Sequence, residues 1–175
     1  MVKNISERVQ VVEGDITRLD VDAVVNAANE RLKSGGGVCG AIHDAAGPQL
    51  AAACRRLAPC HTGGARLTKG YRLPAKYVIH AVGPRYRDGR HGEAELLRSC
   101  YEEALRLAAE TGVRTIAFPS ISTGIFGYPP EEACPIAVDA VRAWLRGHEL
   151  PERVVFCCFQ AATAELYRQR LGEAP

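Results

Sequence analysis

Apolar and polar positions along the chain fall into short valine-rich runs separated by longer stretches of helical period. Val9 to Val12 predicts a first strand and Ala23-Val24-Val25-Asn26 a second, the latter apolar almost throughout, as a strand covered on both faces must be. A helix is expected over about Val38 to Ala46 and another from Pro48 through Leu57, with Pro48 placed where a helix opens. Tyr77 to Ala81 reads as another buried strand, closed by Gly83-Pro84. Between Glu93 and Thr111, Leu97, Cys100, Tyr101, Ala104, Leu105 and Ala108 recur at three- and four-residue spacing, which predicts an amphipathic helix stopped by Gly112. Thr115 to Phe118 forms a strand, followed by a loop over Pro119 to Tyr128. Pro129-Pro130 then opens a helix with the stripe Cys134, Ala137, Val138, Val141 and Trp144. A last strand, Val154 to Phe159, precedes a short helix through Leu171.

Strands alternating with helices make this an α/β fold in one domain, with no repeat, low-complexity tract or linker to divide it. In such folds the strand-to-helix connections lie at one end of the sheet, where ligands bind. A chain of 175 residues is long enough to bury one sizeable core. Lys and Arg total 22 against 20 for Asp and Glu, so the net charge of +2 excludes a binder working by bulk positive charge. Any anionic ligand must therefore be held by local geometry, and no direct nucleic-acid binding is expected. The seven cysteines are odd in number, and Cys157-Cys158 are adjacent within an apolar run, which points to free thiols in a reducing compartment. With no apolar leader and no run near the length of a membrane span, a cytoplasmic protein without membrane association is expected.

Chemistry-bearing residues gather after the strands: Asp15 after the first, Asn26 and Asn29 after the second, Ser120 to Gly124 after the strand at 115–118, and Phe159 after the last. Gly35-Gly36-Gly37 lead into a helix, so backbone N–H groups and the helix dipole could both face a phosphate. Ser122-Thr123-Gly124-Ile125-Phe126-Gly127 repeats that design with two hydroxyls and two glycines. Each loop alone could be a flexible turn, but two together suggest a diphosphate. Neither has the Gly-Lys-Ser/Thr of a P-loop or the GxGxxG spacing of a dinucleotide fold.

Gly14-Asp15-Ile16, Asn26-Ala27-Ala28-Asn29, Gly35 to His43 with Ala45-Ala46-Gly47, and Ile121 to Gly124 with Gly127-Tyr128-Pro129 together resemble a macro domain of the MacroD type. The resemblance runs from about Val9 to Leu171, within a single domain taken as 1–175. It implies a three-layer α/β/α sandwich with a mixed central sheet and a cleft for ADP-ribose. It also implies hydrolysis of mono-ADP-ribose esters on acidic protein side chains and of O-acetyl-ADP-ribose; no cofactor is expected, and no metal, since Cys39 and His43 supply only two ligands and Cys54, Cys60 and His61 form no recognised ligand spacing. ADP-ribose-1''-phosphate hydrolysis would use the same cleft. Carried over by residue, Asp15 would accept from the adenine amino group with the Ile16 backbone beside it, and Phe159 would stack on the base. Gly35, Gly36, Gly37 and Val38, with Ser122, Thr123, Gly124, Ile125 and Phe126, would wrap the diphosphate and distal ribose. Asn29 would bind that ribose and orient the scissile bond, and Asn26 would tie the backbone of its own loop.

The pattern Gly-Val-Asp-Gly of that family stands here as Gly37-Val38-Cys39-Gly40, and Ser34 replaces a fourth glycine. The family's aspartate is read as a general base for the attacking water. Three readings of Cys39 follow: weak hydrolysis in which a substrate phosphate positions the water, a non-catalytic reader of ADP-ribose, or a reactive thiol at a helix N-terminus with His43 four residues on. His43 is expected to bond backbone, and His80 to be a structural strand residue. Arg85, Arg87 and Arg90 lie in a polar segment that is either a solvated connection or a docking site for an acidic partner protein.

Overall fold

A computed structural model describes residues 3–172, so the outermost residues of the expected 1–175 domain lie outside it. The strands are β1 (Val9–Glu13), β2 (Ala23–Ala27), β3 (Ala65–Lys69), β4 (Tyr77–Ala81), β5 (Thr115–Phe118) and β6 (Arg153–Cys158). The helices are α1 (Ile5–Arg8), α2 (Gly37–Ala46), α3 (Pro48–Leu57), α4 (Glu93–Thr111), α5 (Pro130–Gly147) and α6 (Ala161–Gly172). All strands join one mixed sheet in the order β1-β6-β5-β2-β4-β3, parallel except where edge strand β3 runs antiparallel to β4.

Alternation along the central strands sends side chains to two cores. Val25, Ile79, Ile116, Phe118 and Phe156 pack against α4, α5 and α6, where Leu97, Leu105, Val138 and Tyr167 are buried. Val24, Val78, Ala117 and Val155 face Ile42, Leu50 and Cys54 of α2 and α3. The result is an α/β/α sandwich around a mixed sheet, as the resemblance implied.

Four features depart from the sequence reading. Strand β3 was not anticipated, because Ala-Arg-Leu-Thr-Lys carries two cations, as an exposed edge tolerates. Strand β6 ends at Cys158, leaving Phe159 beyond the sheet. On α5 the buried stripe closes with Leu145; Trp144 is half-buried, donates from its indole to the Leu150 carbonyl at 3.0 Å and stacks on His148. Arg8 is buried, its guanidinium donating to the carbonyls of Leu145, His148, Glu149, Pro151 and Glu152, so α1 is fastened to the end of α5.

Candidate functional site

The C-terminal ends of the parallel strands open into one cleft of about 710 Å³, within the range of small-molecule sites. Asp15, Ile16, Asn29, Gly35, Gly36, Gly37, Val38, Cys39, Ser122, Thr123, Gly124, Ile125, Phe126 and Phe159 all line it. Sheet order spreads them along its length. Asp15 and Phe159 follow adjacent β1 and β6, the 119–128 loop follows β5 in the middle, and Asn29 with the glycines follows β2.

At the β1/β6 end, Asp15 caps a short 3-10 turn (Ile16–Arg18) by accepting from Thr17 N at 2.9 Å and Thr17 Oγ1 at 2.7 Å. The Thr17 hydroxyl, then the Thr17 N–H and the Arg18 charge, hold its carboxyl below the usual range despite partial desolvation. It is therefore an ionised acceptor at neutral pH. Phe159 is 85% exposed, so it is no core residue and its ring is available for stacking.

Two loops of unpaired donors flank the middle of the cleft. Helix α2 starts at Gly37 with φ of +59° and no side-chain cap, leaving its first N–H groups directed out of the helix end. Gly40 packs so closely on the Gly35 carbonyl that a Cβ there would collide with it, which folds the glycine stretch against the helix. In the second loop the backbone N–H groups of Ser122 through Phe126 make no hydrogen bond to described residues, while Gly127 N and Tyr128 N close the turn on Gly124 and Ser122 carbonyls. Ser122 is buried with φ of +68°, its Oγ unpaired among the described residues and packed against Gly83. Ile125, 75% exposed, reaches across so that a Cβ on Gly36 would lie 3.0 Å from its Cδ1; the two loops thus meet over the cleft. Together they present convergent N–H dipoles and a helix N-terminus, a cradle for anionic oxygens.

At the β2 end, Asn29 is oriented by backbone: Nδ2 donates to Lys33 O at 2.8 Å and Oδ1 accepts from Lys33 N at 3.1 Å. It is Asn29, not Asn26, that ties the loop. Asn26 is fully buried and donates from Nδ2 to His80 Nδ1 at 3.1 Å and to Cys39 Sγ at 3.7 Å, because β2 and β4 pair it directly with His80. Thr68 Oγ1 lies 3.0 Å from His80 Nε2 and donates to the Lys69 carbonyl, so it accepts from Nε2–H, and the imidazole is the neutral Nε2–H tautomer. Burial, then the nearby His43, lowers the His80 pKa to about 3. His80 is structural, as expected.

Cys39 is only 6% exposed, and its S–H donates to the Lys33 carbonyl at 3.6 Å. His43, on the same helix, has its pKa lowered mainly by desolvation, and its imidazole makes no hydrogen bond to described residues, contrary to the backbone bond expected of it. Asp88, His91 and Glu93 bring ligand-type atoms within 4.8 Å of one another but lie off the cleft. The sequence reading, which left Arg85 between a solvated connection and a docking residue, did not put it in the cleft wall, where its guanidinium lies 4.4 Å from the Phe126 ring centre. It also missed Gln160 and Thr163 at the start of α6. Arg85 carried a signal, a cation four residues beyond a buried strand, whereas nothing in the sequence separated Gln160 and Thr163 from ordinary helix surface.

Comparison with known proteins places this arrangement. A family model described as "Macro domain" matches residues 25–137. A macro domain-containing protein of Chlorobaculum tepidum is 57% identical, covering 94% of this chain and 95% of that one. The human ADP-ribose glycohydrolase MACROD2 is 49% identical over 98% of this chain, which spans 41% of that longer protein. The crystal structure of the Trypanosoma brucei macrodomain in complex with ADP-ribose superposes with a TM-score of 0.88 at 43% identity, covering 94% of this chain and 69% of that one.

Proposed function

The chain belongs to the macro domain family, and we propose that it binds ADP-ribose and hydrolyses mono-ADP-ribose esters on acidic protein side chains and O-acetyl-ADP-ribose, at reduced efficiency because Cys39 stands where an aspartate would act. One observation carries the binding half. A single cleft joins an ionised acceptor and an open aromatic face at one end, two loops of unpaired N–H groups in the middle, and an oriented amide at the other. That order matches adenine, diphosphate and distal ribose. Asp15 would accept from the adenine amino group, Phe159 would stack on the ring, and the N–H groups of Gly35 to Val38 and Ser122 to Phe126 would hold the diphosphate oxygens.

Asn29 has one amide hydrogen and further lone pairs left after its bonds to Lys33, which suit it to hold the distal ribose hydroxyls. Ester hydrolysis adds one water across the bond between the ribose and the carboxyl group, giving ADP-ribose and a free acid. The Cys39 thiol is a donor to the Lys33 carbonyl and offers no base. A phosphate oxygen of the substrate would then orient the water and take its proton. The same bond supports the second reading, a reader that binds ADP-ribose with little turnover.

Calorimetric titration with ADP-ribose, together with single-turnover release from a glutamate-linked mono-ADP-ribosylated protein, tests both halves. Micromolar binding with slow release is expected. Absence of binding overturns the proposal, and binding without release leaves the reader. The buried free thiols support the further proposal of a reducing, cytoplasmic setting. Among the described residues no helix is long and apolar enough to cross a membrane.

A further inference from the structure

The two loops at the β2/β4 end of the cleft carry an uneven charge distribution. They leave the sheet side by side, since Ala27 pairs with Ala81 and Ala28 N donates to Ala81 O at 2.9 Å. Between residues 28 and 36 stand Glu30, Arg31 and Lys33; between 83 and 93 stand Arg85, Arg87, Asp88, Arg90 and Glu93. Each of the acids is already engaged. Glu30 accepts from Thr62 N and Oγ1, Asp88 from Arg90 N and the His91 imidazole, and Glu93 is buried and accepts backbone N–H groups from Arg87, Asp88, Gly89 and His91. Arg31, Lys33, Arg85, Arg87 and Arg90 are exposed, and among the described residues none has an acidic partner.

The arrangement is also fixed. Glu93 clamps the second loop through backbone, Tyr86 N donates to Phe126 O at 2.8 Å, and Arg85 lies over the Phe126 ring at the cleft wall. Lys33 is tied by its backbone to Asn29 and to Cys39. Arg85 therefore stands in the cleft wall and Lys33 beside Asn29 and Cys39, with Arg31, Arg87 and Arg90 on the same two loops outside the lining, at the end where the distal ribose, and the protein chain attached to it, would emerge. Loops whose acids are already bonded to their own backbone and side chains, Glu93 from within, leave the cations as the exposed charges without a partner, which is complementary to an acidic surface at little ordering cost.

We propose that this rim is a docking surface for the acidic polypeptide segment flanking a mono-ADP-ribosylated glutamate or aspartate, so that this protein prefers modification sites set among further acidic residues. The inference rests on the proposed ADP-ribose site. An acidic polypeptide is favoured over nucleic acid because these cations sit on two neighbouring loops and the rest of the chain carries no net positive charge.

The test compares two mono-ADP-ribosylated peptides, one with acidic residues at the flanking positions and one with the same positions as Gln or Asn. Binding and single-turnover release are measured at low and moderate salt, with free ADP-ribose alongside. The acidic-flank peptide should bind about tenfold tighter at low salt, an advantage that shrinks with added salt. Arg87→Glu with Arg90→Glu should abolish the preference while affinity for free ADP-ribose stays unchanged, since those side chains take no part in the loop clamp. Equal affinities for the two peptides, with ADP-ribose still bound, overturn the docking surface and leave the ADP-ribose site standing. Loss of ADP-ribose binding by the unaltered protein overturns both. Competition by a single-stranded oligonucleotide as strong as by an unmodified acidic peptide would make the rim a general polyanion surface and overturn its assignment to polypeptide.

Discussion

Asn26 and Cys39 are joined side chain to side chain: the Asn26 Nδ2 that donates to His80 at 3.1 Å also lies 3.7 Å from the Cys39 sulfur. With the S–H directed at the Lys33 carbonyl, the thiol ends a buried polar chain running Thr68, His80, Asn26, Cys39. Position 39 is thus wired to the structural network beneath the cleft as well as to the loop beside Asn29.

Replacing the thiol separates its structural from its chemical part. Cys39→Ala keeps the Asn26–His80 bond, so its stability cost should be about 1–2 kcal/mol, near the small end for a truncated buried side chain. ADP-ribose affinity should stay within about twofold, and single-turnover release should be unchanged if a substrate phosphate positions the water. Cys39→Asp supplies a carboxylate acceptor and should speed release by about 10²-fold, the scale of a positioned general base. A large loss in Cys39→Ala with the fold intact would instead make the sulfur a reacting group.

Asp15→Ala removes the ionised acceptor at the β1/β6 end. Binding of ADP-ribose should weaken by about 1–3 kcal/mol, the cost of leaving a polar partner unmet. Asp15→Asn, which still offers Thr17 an acceptor, should recover part of that loss. Unchanged affinity in both variants, read by calorimetry, would remove Asp15 from adenine recognition.

The second loop can be moved without touching its own residues. A Cβ on Gly83 would overlap both Ser122 Oγ and Ile121 Cγ2, so Gly83→Ala should push the 119–128 loop off its seat. Overpacking of this kind costs about 1–3 kcal/mol of stability. It should also weaken ADP-ribose by more than it weakens AMP, which lacks the diphosphate. Equal weakening of both ligands would place the diphosphate elsewhere.

How legible this protein was in its sequence follows from what each signal depends on. Helix α4 and strand β4 were read to the residue because their burial is periodic and local, with Gly112 and Gly83 marking the stops. Strand β3 was invisible because an edge strand needs little apolar surface and is defined by its partner. The cleft residues could be placed by motif resemblance, and the structure brings them together. That Asn29 ties the loop while Asn26 is buried against His80 could not be read, because it depends on β4 putting His80 opposite Asn26. Nor could the clamp on 85–92, since four backbone donors converging on Glu93 leave no trace in residue type.

Acid sensitivity should come from groups whose folded pKa values are depressed, most of all His80 and Glu93, with His43 acting in the same direction as His80. His80 titrates near 6.5 in an unfolded chain and near 3 when buried, so between those values the unfolded chain takes up a proton that the native state refuses. Its contribution is present in full above pH 6.5 and is lost progressively as pH falls toward 3. Burial alone would raise the Glu93 carboxyl, but the combined backbone bonds from Gly89, Arg87, His91 and Asp88 hold it at about 2 against an ordinary 4.5, so its loss begins only below pH 4.5. Urea midpoints should therefore fall between pH 6.5 and 4.5 through His80 alone of this pair. His80→Leu strips Asn26 and Thr68 of a partner and should cost about 1–3 kcal/mol at pH 7, yet its midpoint should change less over that interval. The same pH slope in both proteins would show that the imidazole is not the buried group that acid must protonate.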